Sequence, residues 1–407
     1  MSGPLADKPS PTLPYGRQTV DEDDIAAVVD VLRSDFLTTG PAVAAFENAF
    51  AARVDVPYAI ACANGTAALH LAALALDLKP GDHVIVPAIT FLATANAARF
   101  VGADVIFADV DPENGLMRAD DVRNAIAANP TKRIKAVFPV HLAGQPAYPD
   151  AIAAIAKANG LAVVEDACHA LGTDYGVGNE RYNVGTCTHA DMAAFSFHPV
   201  KTIASGEGGM VTARDPALAA RLRRLRSHGM VRSPDEVKVR DQAFDSRGDI
   251  NAWYYEMPEI GFNYRLSDIH AALGLSQLAK LERWLVRRRS LVALYDRLLA
   301  KLSPLVQPTA RVAAAEIGWH LYSVLIDFKS IDKERNVVMA ALRAKGIDTQ
   351  VHYIPVPWQP YYRDRYATPD LPGARHYYER TLTLPLFPGM TDADVERVVD
   401  ALAGSIQ

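Results

Sequence analysis

Apolar positions recur along this chain in two periods, and the alternation between those periods is its first legible feature. Ile25, Val28, Val29 and Leu32 fall at helical spacing behind Thr19-Val20-Asp21-Glu22, which reads as a capping box opening a helix. A second helical stretch covers Ala42 to Arg53. Short apolar runs follow at Tyr58–Cys62, His83–Pro87, Val105–Ala108, Ile134–Val140, Leu161–Glu165, Ala193–Phe197 and Met210–Thr212. Between them the pattern predicts helices over Thr66–Leu76, Thr90–Phe100, Ala119–Ala127 and Ala147–Lys157. Strands that alternate with helices predict βαβ units and a parallel sheet.

The second part of the chain has a different texture. From Val231 to Glu259 it turns polar and loop-like, with Trp253-Tyr254-Tyr255 near the end. A long helical pattern begins at Ser267 and continues to about Lys301. A strand signal at Leu321–Asp327 and a helix signal at Glu334–Lys345 lead to a final helix. Its stripe is Val395, Val398, Val399 and Leu402, capped by Thr391 with Asp394 three residues on. No internal repeat, low-complexity tract or long linker interrupts this order. The expectation is an α/β chain: a large domain over 14–265 with a mostly parallel sheet, then a smaller α+β domain over 266–407.

Composition narrows the function classes. At 407 residues the chain is long enough for two domains with substantial cores. A net charge of −5, with no block of five like charges, makes neither nucleic acid nor an anionic membrane surface an expected partner. Cys62, Cys168 and Cys187 are an odd, sparse set without CxxC spacing, which suits a reducing compartment. Met1 to Leu13 lacks the apolar core of a signal peptide, and no run of 18 apolar residues follows. The chain reads as cytosolic.

Three segments carry candidate chemistry. Asp166 follows the apolar run Leu161–Glu165, at the carboxyl end of a probable parallel strand, where open α/β sheets place ligands. A carboxylate there can keep a ring nitrogen protonated and so make a pyridine an electron sink. Lys201 leaves Phe195-Ser196-Phe197-His198-Pro199-Val200 and precedes the glycine-rich Ser205-Gly206-Glu207-Gly208-Gly209. A desolvated lysine amine is the nucleophile that Schiff-base chemistry requires. Asn64-Gly65-Thr66-Ala67-Ala68 lies between a strand and a helix, a natural phosphate site with the Thr66 hydroxyl as an added donor. Ser196 is a further phosphate donor, and Phe91 can stack on an aromatic ring. Each has a plain counterpart, such as a capping aspartate, a snorkelling lysine or a core aromatic. Their combination is what points to chemistry.

That combination, with Glu165-Asp166-Ala167-Cys168-His169-Ala170-Leu171-Gly172, closely resembles the nucleotide-sugar aminotransferases of the DegT/DnrJ/EryC1/StrS family, from Leu13 to about Leu402. The resemblance implies an aspartate-aminotransferase-type (fold type I) fold, pyridoxal 5'-phosphate as cofactor and a homodimer with shared active sites. It implies Lys201 as the lysine that carries the cofactor and shuttles a proton, and Asp166 as the partner of the ring nitrogen. Phe91 would stack on the ring, His169 would reach its phenolic oxygen, and Gly65, Thr66 and Ser196 would hold the phosphate. Asn263, in Gly261-Phe262-Asn263-Tyr264-Arg265-Leu266-Ser267-Asp268, would reach the phosphate from the partner subunit. Many members carry glutamine where this chain has His169.

Finer features resemble the members that aminate a UDP-linked 4-keto-6-deoxy sugar in pseudaminic acid biosynthesis. They are Ser34 to Pro41, Arg226 to Met230, Trp253 to Glu256 and Gln350 to Val356. These imply Thr38, His228, His352 and Tyr353 as substrate contacts and an amino-acid donor, L-glutamate. Perosamine-type and bacillosamine-type 4-aminotransferases share most of the catalytic motifs. Three other readings stay open. Cys168, His169, Cys187 and His189 are possible zinc ligands without the usual spacing, so no metal is expected. A dehydratase would carry histidine at the lysine position, and a sensor would keep the fold without turnover.

Overall fold

The computed structural model describes residues 12–367 and 369–407; the Pro-rich start of the chain, up to residue 11, lies outside the described residues. The strands of the first half are β1 (Tyr58–Cys62), β2 (Asp82–Pro87), β3 (Asp104–Ala108), β4 (Arg133–Val137) and β5 (Ala162–Asp166). A hairpin β6 (Asp174–Val177) and β7 (Glu180–Asn183) is followed by β8 (Met192–Ser196) and β9 (Gly209–Ala213). Seven of these form one sheet in the order β1-β9-β8-β5-β4-β2-β3. All its neighbours run parallel except β9, which is antiparallel to both β1 and β8.

Most of these strands are apolar over their central residues because both faces of the sheet are covered; the start of β4, with exposed Arg133 and Lys135, is the exception. Ile60 and Cys62, Val84 and Val86, Val164, and Met192 and Ala194 face one core, which they share with helix α3 (Gly65–Ala75) and helix α4 (Leu92–Phe100). The alternate residues face the opposite side. Ala59, Ala61, Ala193 and Phe195 join Phe46, Phe50 and Phe197 there, while Ile85 and Val163 join a further cluster. Within the predicted run Ile134–Val140 the regular strand ends at Val137, near Pro139, which has no N–H for a ladder, and beyond it Val140 makes only an isolated bridge to Asp166. Pro139 instead accepts from Asp166 N at 2.8 Å.

Another core lies in the C-terminal part, around a small antiparallel sheet of β10 (Val306–Pro308), β12 (Tyr322–Ile326) and β13 (Thr381–Leu384). Val395, Val398, Val399 and Leu402 of the last helix, Asp392–Ile406, pack there, and Thr391 and Asp394 cap that helix reciprocally. Strand β11 (Ala315–Glu316) pairs with β6. The backbone at Leu13 and Tyr15 bonds to Gly346, Asp348 and Leu386, so this segment lies as a strap on the C-terminal part.

Helix α1 (Glu22–Leu32) departs from expectation. Its capping box is Asp21 with Asp24, not Thr19 with Glu22; Thr19 gives its carbonyl to Gln277 Nε2 at 2.8 Å. Its predicted stripe does not face a core, since Ile25 and Leu32 are exposed. The buried residue is Asp24, which accepts from Ser276 Oγ at 2.6 Å, Gln277 Nε2 at 2.7 Å and Lys280 Nζ at 2.9 Å. The long helical pattern after Ser267 is two helices, Asp268–Ala279 and Leu281–Leu299, and Lys280 at the break pairs with both Asp21 and Asp24.

Helix α1 is therefore docked by a buried ionic cluster. Replacing Asp24 with Ala would remove the buried acceptor shared by Ser276, Gln277 and Lys280, leaving Lys280 with Asp21 and Gln277 with the Thr19 carbonyl, at a cost of about 3 kcal/mol. A urea titration of the variant should show a clearly lower midpoint. An unchanged midpoint would mean that α1 is held by other contacts.

Candidate active site

Parallel register assembles the site. Strands β5 and β8 pair Val164 with Met192, Glu165 with Ala193 and Asp166 with Ala194, so Asp166 and Ser196 emerge side by side at the carboxyl edge of the sheet. Helix α3 starts at the same edge, directly after β1. The three meet in a cavity of about 600 Å³ whose walls also include Phe91, His169, Lys201, His352 and Tyr353.

Asp166 is buried and held at each oxygen. Oδ2 accepts from Thr94 Oγ1 at 2.6 Å and Oδ1 from Cys168 N at 3.2 Å. The fully buried Thr94 hydroxyl lies 2.7 Å from that of Thr90. Because Thr94 gives its hydrogen to the carboxylate, Thr90 must be the donor of that pair. At the start of α3 the Asn64 side chain caps Ala67 N at 2.8 Å. By helix geometry the N–H groups of Gly65 and Thr66 have no partner within the helix, and both residues line the cavity. Gly65 has to be glycine: a Cβ there would stand 2.7 Å from Ser196 Cβ and 3.3 Å from Cys168 Sγ.

Lys201 reaches the cavity from the turn after β8. Burial lowers its pKa, opposed by the neighbouring Cys168 and Asp166, so the amine sheds its proton more readily than a surface lysine. Burial, reinforced by Lys201, holds His169 well below the ordinary imidazole value and brings His352 down to about 3. Both rings are neutral at physiological pH. Tyr353 Oη lies 3.3 Å from His169 Nε2, and its ring stands 6.0 Å from that of the half-exposed Phe91. His352 Nδ1 is 2.9 Å from Thr383 Oγ1, tying this wall to the small sheet.

Nine of the residues singled out from sequence thus meet in one cavity: Gly65, Thr66, Phe91, Asp166, His169, Ser196, Lys201, His352 and Tyr353. Thr38, His228 and Asn263 do not line it. They are exposed, on backbone segments that pair Thr38 with Ser267 and Ser227 with Asn263. Phe36 and Leu37, just before Thr38, and Trp253, Met257 and Ile260, in the stretch leading to Asn263, are also exposed, Trp253 and Ile260 at 77% each. The four zinc candidates part company: Cys187 Sγ sits against Thr212 O at 3.4 Å and His189 against Tyr175 Oη at 2.8 Å. Among the described residues no group of three potential ligands could hold a metal.

Sequence reasoning missed Thr94 and Tyr15. Thr94 carried only a weak signal, a second hydroxyl four positions after Thr90. Tyr15 carried none; only the strap brings it to the cavity, with its ring 5.5 Å from that of His352.

Residues 18–403 match the sequence profile of the DegT/DnrJ/EryC1/StrS aminotransferase family. The chain belongs to this family. It is 39% identical over 393 residues to the spore coat polysaccharide biosynthesis protein SpsC of Bacillus subtilis, covering 96% of each chain. Its structure is similar to that of Helicobacter pylori PseC, an aminotransferase of pseudaminic acid biosynthesis, with a TM-score of 0.85 and 27% identity over 97% of this chain and 99% of that one. The PLP-form of the sugar aminotransferase Spr1654 from Streptococcus pneumoniae gives a TM-score of 0.84 and 29% identity, covering 97% and 98%. The chain is a pyridoxal-phosphate-dependent aminotransferase of fold type I.

The cavity fits that cofactor. Asp166 would accept from a protonated ring nitrogen, the glycine-permitted start of α3 with Ser196 would offer donors to a phosphate, and Lys201 would offer its partly buried amine. Capture of an aldehyde needs the neutral amine, so the rate at which the apoprotein binds pyridoxal phosphate should rise with pH. Its midpoint should lie below the ~10.4 of an unperturbed lysine. Asp166→Asn removes a negative neighbour that favours the ammonium, which moves the midpoint lower still. Stopped-flow absorbance across pH measures both, and a wild-type midpoint at the ordinary lysine value would contradict the depressed pKa.

Proposed function

We propose that this enzyme transfers an amino group from an amino acid, L-glutamate, to C4 of a UDP-linked 4-keto-6-deoxy sugar, in pseudaminic acid biosynthesis. The observation that carries the reading is the juxtaposition of Lys201 and Asp166 with the segment Gln350–Ile354 at one cavity. That segment belongs to the run Gln350–Val356, in which the chain resembles the enzymes acting on that sugar. The likeness to PseC and SpsC, both tied to sugar or polysaccharide biosynthesis, supports it.

Bound pyridoxal phosphate supplies an aldehyde that accepts the amino group and a ring that delocalises electrons from the reacting carbon. The chain's residues do the rest. Lys201 Nζ would anchor the cofactor and, once free, would take and return a proton at the substrate carbon. Asp166, held by Thr94, would keep the ring nitrogen protonated. The N–H groups of Gly65 and Thr66 and the hydroxyls of Thr66 and Ser196 would hold the phosphate, Phe91 would cover one ring face, and His169 would reach the phenolic oxygen through the Tyr353 hydroxyl beside it. His352 and Tyr353 form the wall that meets the sugar. The division into two halves around one cofactor gives ping-pong kinetics.

A second part of the proposal concerns assembly. The exposed apolar side chains of α1 and of the stretch 253–260 form the face of a homodimer, and that face carries Thr38, His228 and Asn263 toward the partner's cavity. This makes each site composite.

Product analysis with UDP- and GDP-linked 4-keto-6-deoxy sugars and glutamate tests the substrate, with Lys201→Ala as the inactive control. The UDP sugar should be aminated at C4. Preference for the GDP sugar would move the enzyme to the perosamine type, and no product with any sugar would leave a sensor.

Mixed dimers test the composite site. Lys201→Ala subunits exchanged with Asn263→Asp subunits give hybrids in which one site carries both lesions and the other neither. Random exchange should restore roughly a quarter of wild-type activity. Exchange without recovery, where each parent is inactive, would mean that Asn263 serves its own subunit.

A further inference from the structure

The loop after β4 winds one 3-10 turn, Leu142–Gly144, in which Ala143 takes a left-handed conformation with φ near 60°. A residue with a Cβ rarely adopts it, and it persists where the surroundings over-determine it. The surroundings here are the active site. Ala143 N donates to His169 Nδ1 at 3.3 Å, and its carbonyl accepts from His320 N at 3.0 Å. His141 N donates to Asp166 O at 3.1 Å, and Thr173 Oγ1 to Gly144 O at 2.7 Å. The turn cannot easily back away, because even a Cβ on Gly144 would meet Gly318 O at 2.6 Å.

A backbone amide can only donate, so the ring nitrogen it faces must be without a proton. A neutral imidazole carries one proton, which then stands on Nε2. His169 Nε2 lies 3.3 Å from Tyr353 Oη. With the imidazole proton directed at it, the phenol is the acceptor of that pair and its own hydrogen is free to point elsewhere. Both side chains line the cavity.

We propose that Ala143 locks His169 as a permanent Nε2–H donor and thereby leaves the Tyr353 hydroxyl hydrogen free for an acceptor oxygen in the cavity. The position of the proton rests on main-chain geometry alone; that the acceptor belongs to the bound cofactor or substrate rests on the function proposed above. The groups around His169 favour the neutral ring. Lys201, His320 and His352 are basic, Tyr353 is a neutral phenol, and of the two carboxylates that line the cavity, Asp166 and Glu207, Asp166 is taken up by Thr94 and the Cys168 amide. A charged ring would also turn an N–H at Nδ1 against the N–H of Ala143. The lock explains how a histidine serves where a fixed donor is wanted: it presents an N–H and has no acid–base equilibrium to upset, as a glutamine would.

Nitrogen-15 spectra of the ring-labelled apoprotein test the lock directly, with the His169 signals assigned by their loss in His169→Gln. From about pH 5.5 to about 9, the range in which an ordinary histidine titrates, Nδ1 should stay unprotonated and Nε2 protonated. The same pattern should survive in Tyr353→Phe, because the lock comes from Ala143. A proton on Nδ1, or a titration in that window, overturns the proposal. Affinity for pyridoxal phosphate adds a second readout: His169→Gln should stay within about threefold of wild type, whereas the acceptor-only His169→Glu should lose at least about tenfold. Equal losses in the two variants would also overturn it. An apoprotein that shows the locked ring yet does not bind pyridoxal phosphate would refute the cofactor site and leave the lock standing.

Discussion

Keeping a lysine amine out of water beside a carboxylate is the constraint on which this site depends. An ammonium group taken from solvent loses hydration worth several kcal/mol, which is why burial depresses the Lys201 pKa. A reactive lysine needs that loss, but an unopposed loss would expel the side chain toward solvent. The fold solves this by fixing everything else first. Asp166 is held by Thr94, by the Cys168 amide and by main-chain bonds to Pro139 and His141, so its charge cannot swing over to neutralise the amine fully. A carboxylate that is already satisfied lowers the cost of keeping a charge nearby without cancelling the effect of burial.

Strand register makes this geometry cheap to maintain. Because β5 and β8 are parallel neighbours, one ladder sets the spacing of Asp166 and Ser196, and the turn after β8 carries Lys201 back over the same edge. The opposite wall has no such ladder. It is the crossing segment Gln350–Ile354, tied to the small sheet through Gln350 and Thr383 and to the large one through Val356 N and Ala88 O at 2.8 Å. The cofactor end of the cavity is thus built on rigid strands. The end that meets the substrate is built on connections, the division expected where one chemistry must serve many sugars.

Much of this was legible in the chain, and for identifiable reasons. Strands β1, β2, β3, β5 and β8 were found within a residue because apolar runs bounded by polar turns have few other readings. The antiparallel course of β9 was not, since an apolar run does not reveal its direction. Asp166 and Lys201 stood out because each follows such a run. Thr94 did not, as one small hydroxyl inside an alanine-rich helix looks like packing. The Leu142–Gly144 turn was invisible for a stronger reason: nothing in Leu-Ala-Gly predicts that alanine rather than glycine takes the left-handed conformation.

Helix α1 shows how a rule that works elsewhere can fail without the physics failing. An apolar stripe such as Ile25, Val28, Val29 and Leu32 ordinarily turns to a core, yet the buried residue is the charged Asp24. Burying a carboxylate while leaving Ile25 and Leu32 in water is a poor bargain for an isolated chain. It becomes sensible if the helix lies between two surfaces, with its ionic side clamped on Lys280 and its apolar side covered by a second copy. The same account covers Thr38, His228 and Asn263, which are polar, lie outside their own cavity, and belong to segments that also expose Phe36, Leu37, Trp253 and Ile260. Polar groups alongside apolar ones are what the core of an interface requires when it must also deliver hydrogen bonds to a neighbour's ligand. Under the proposed dimer, the apolar stripe and the stray site residues are therefore one feature seen from its two sides.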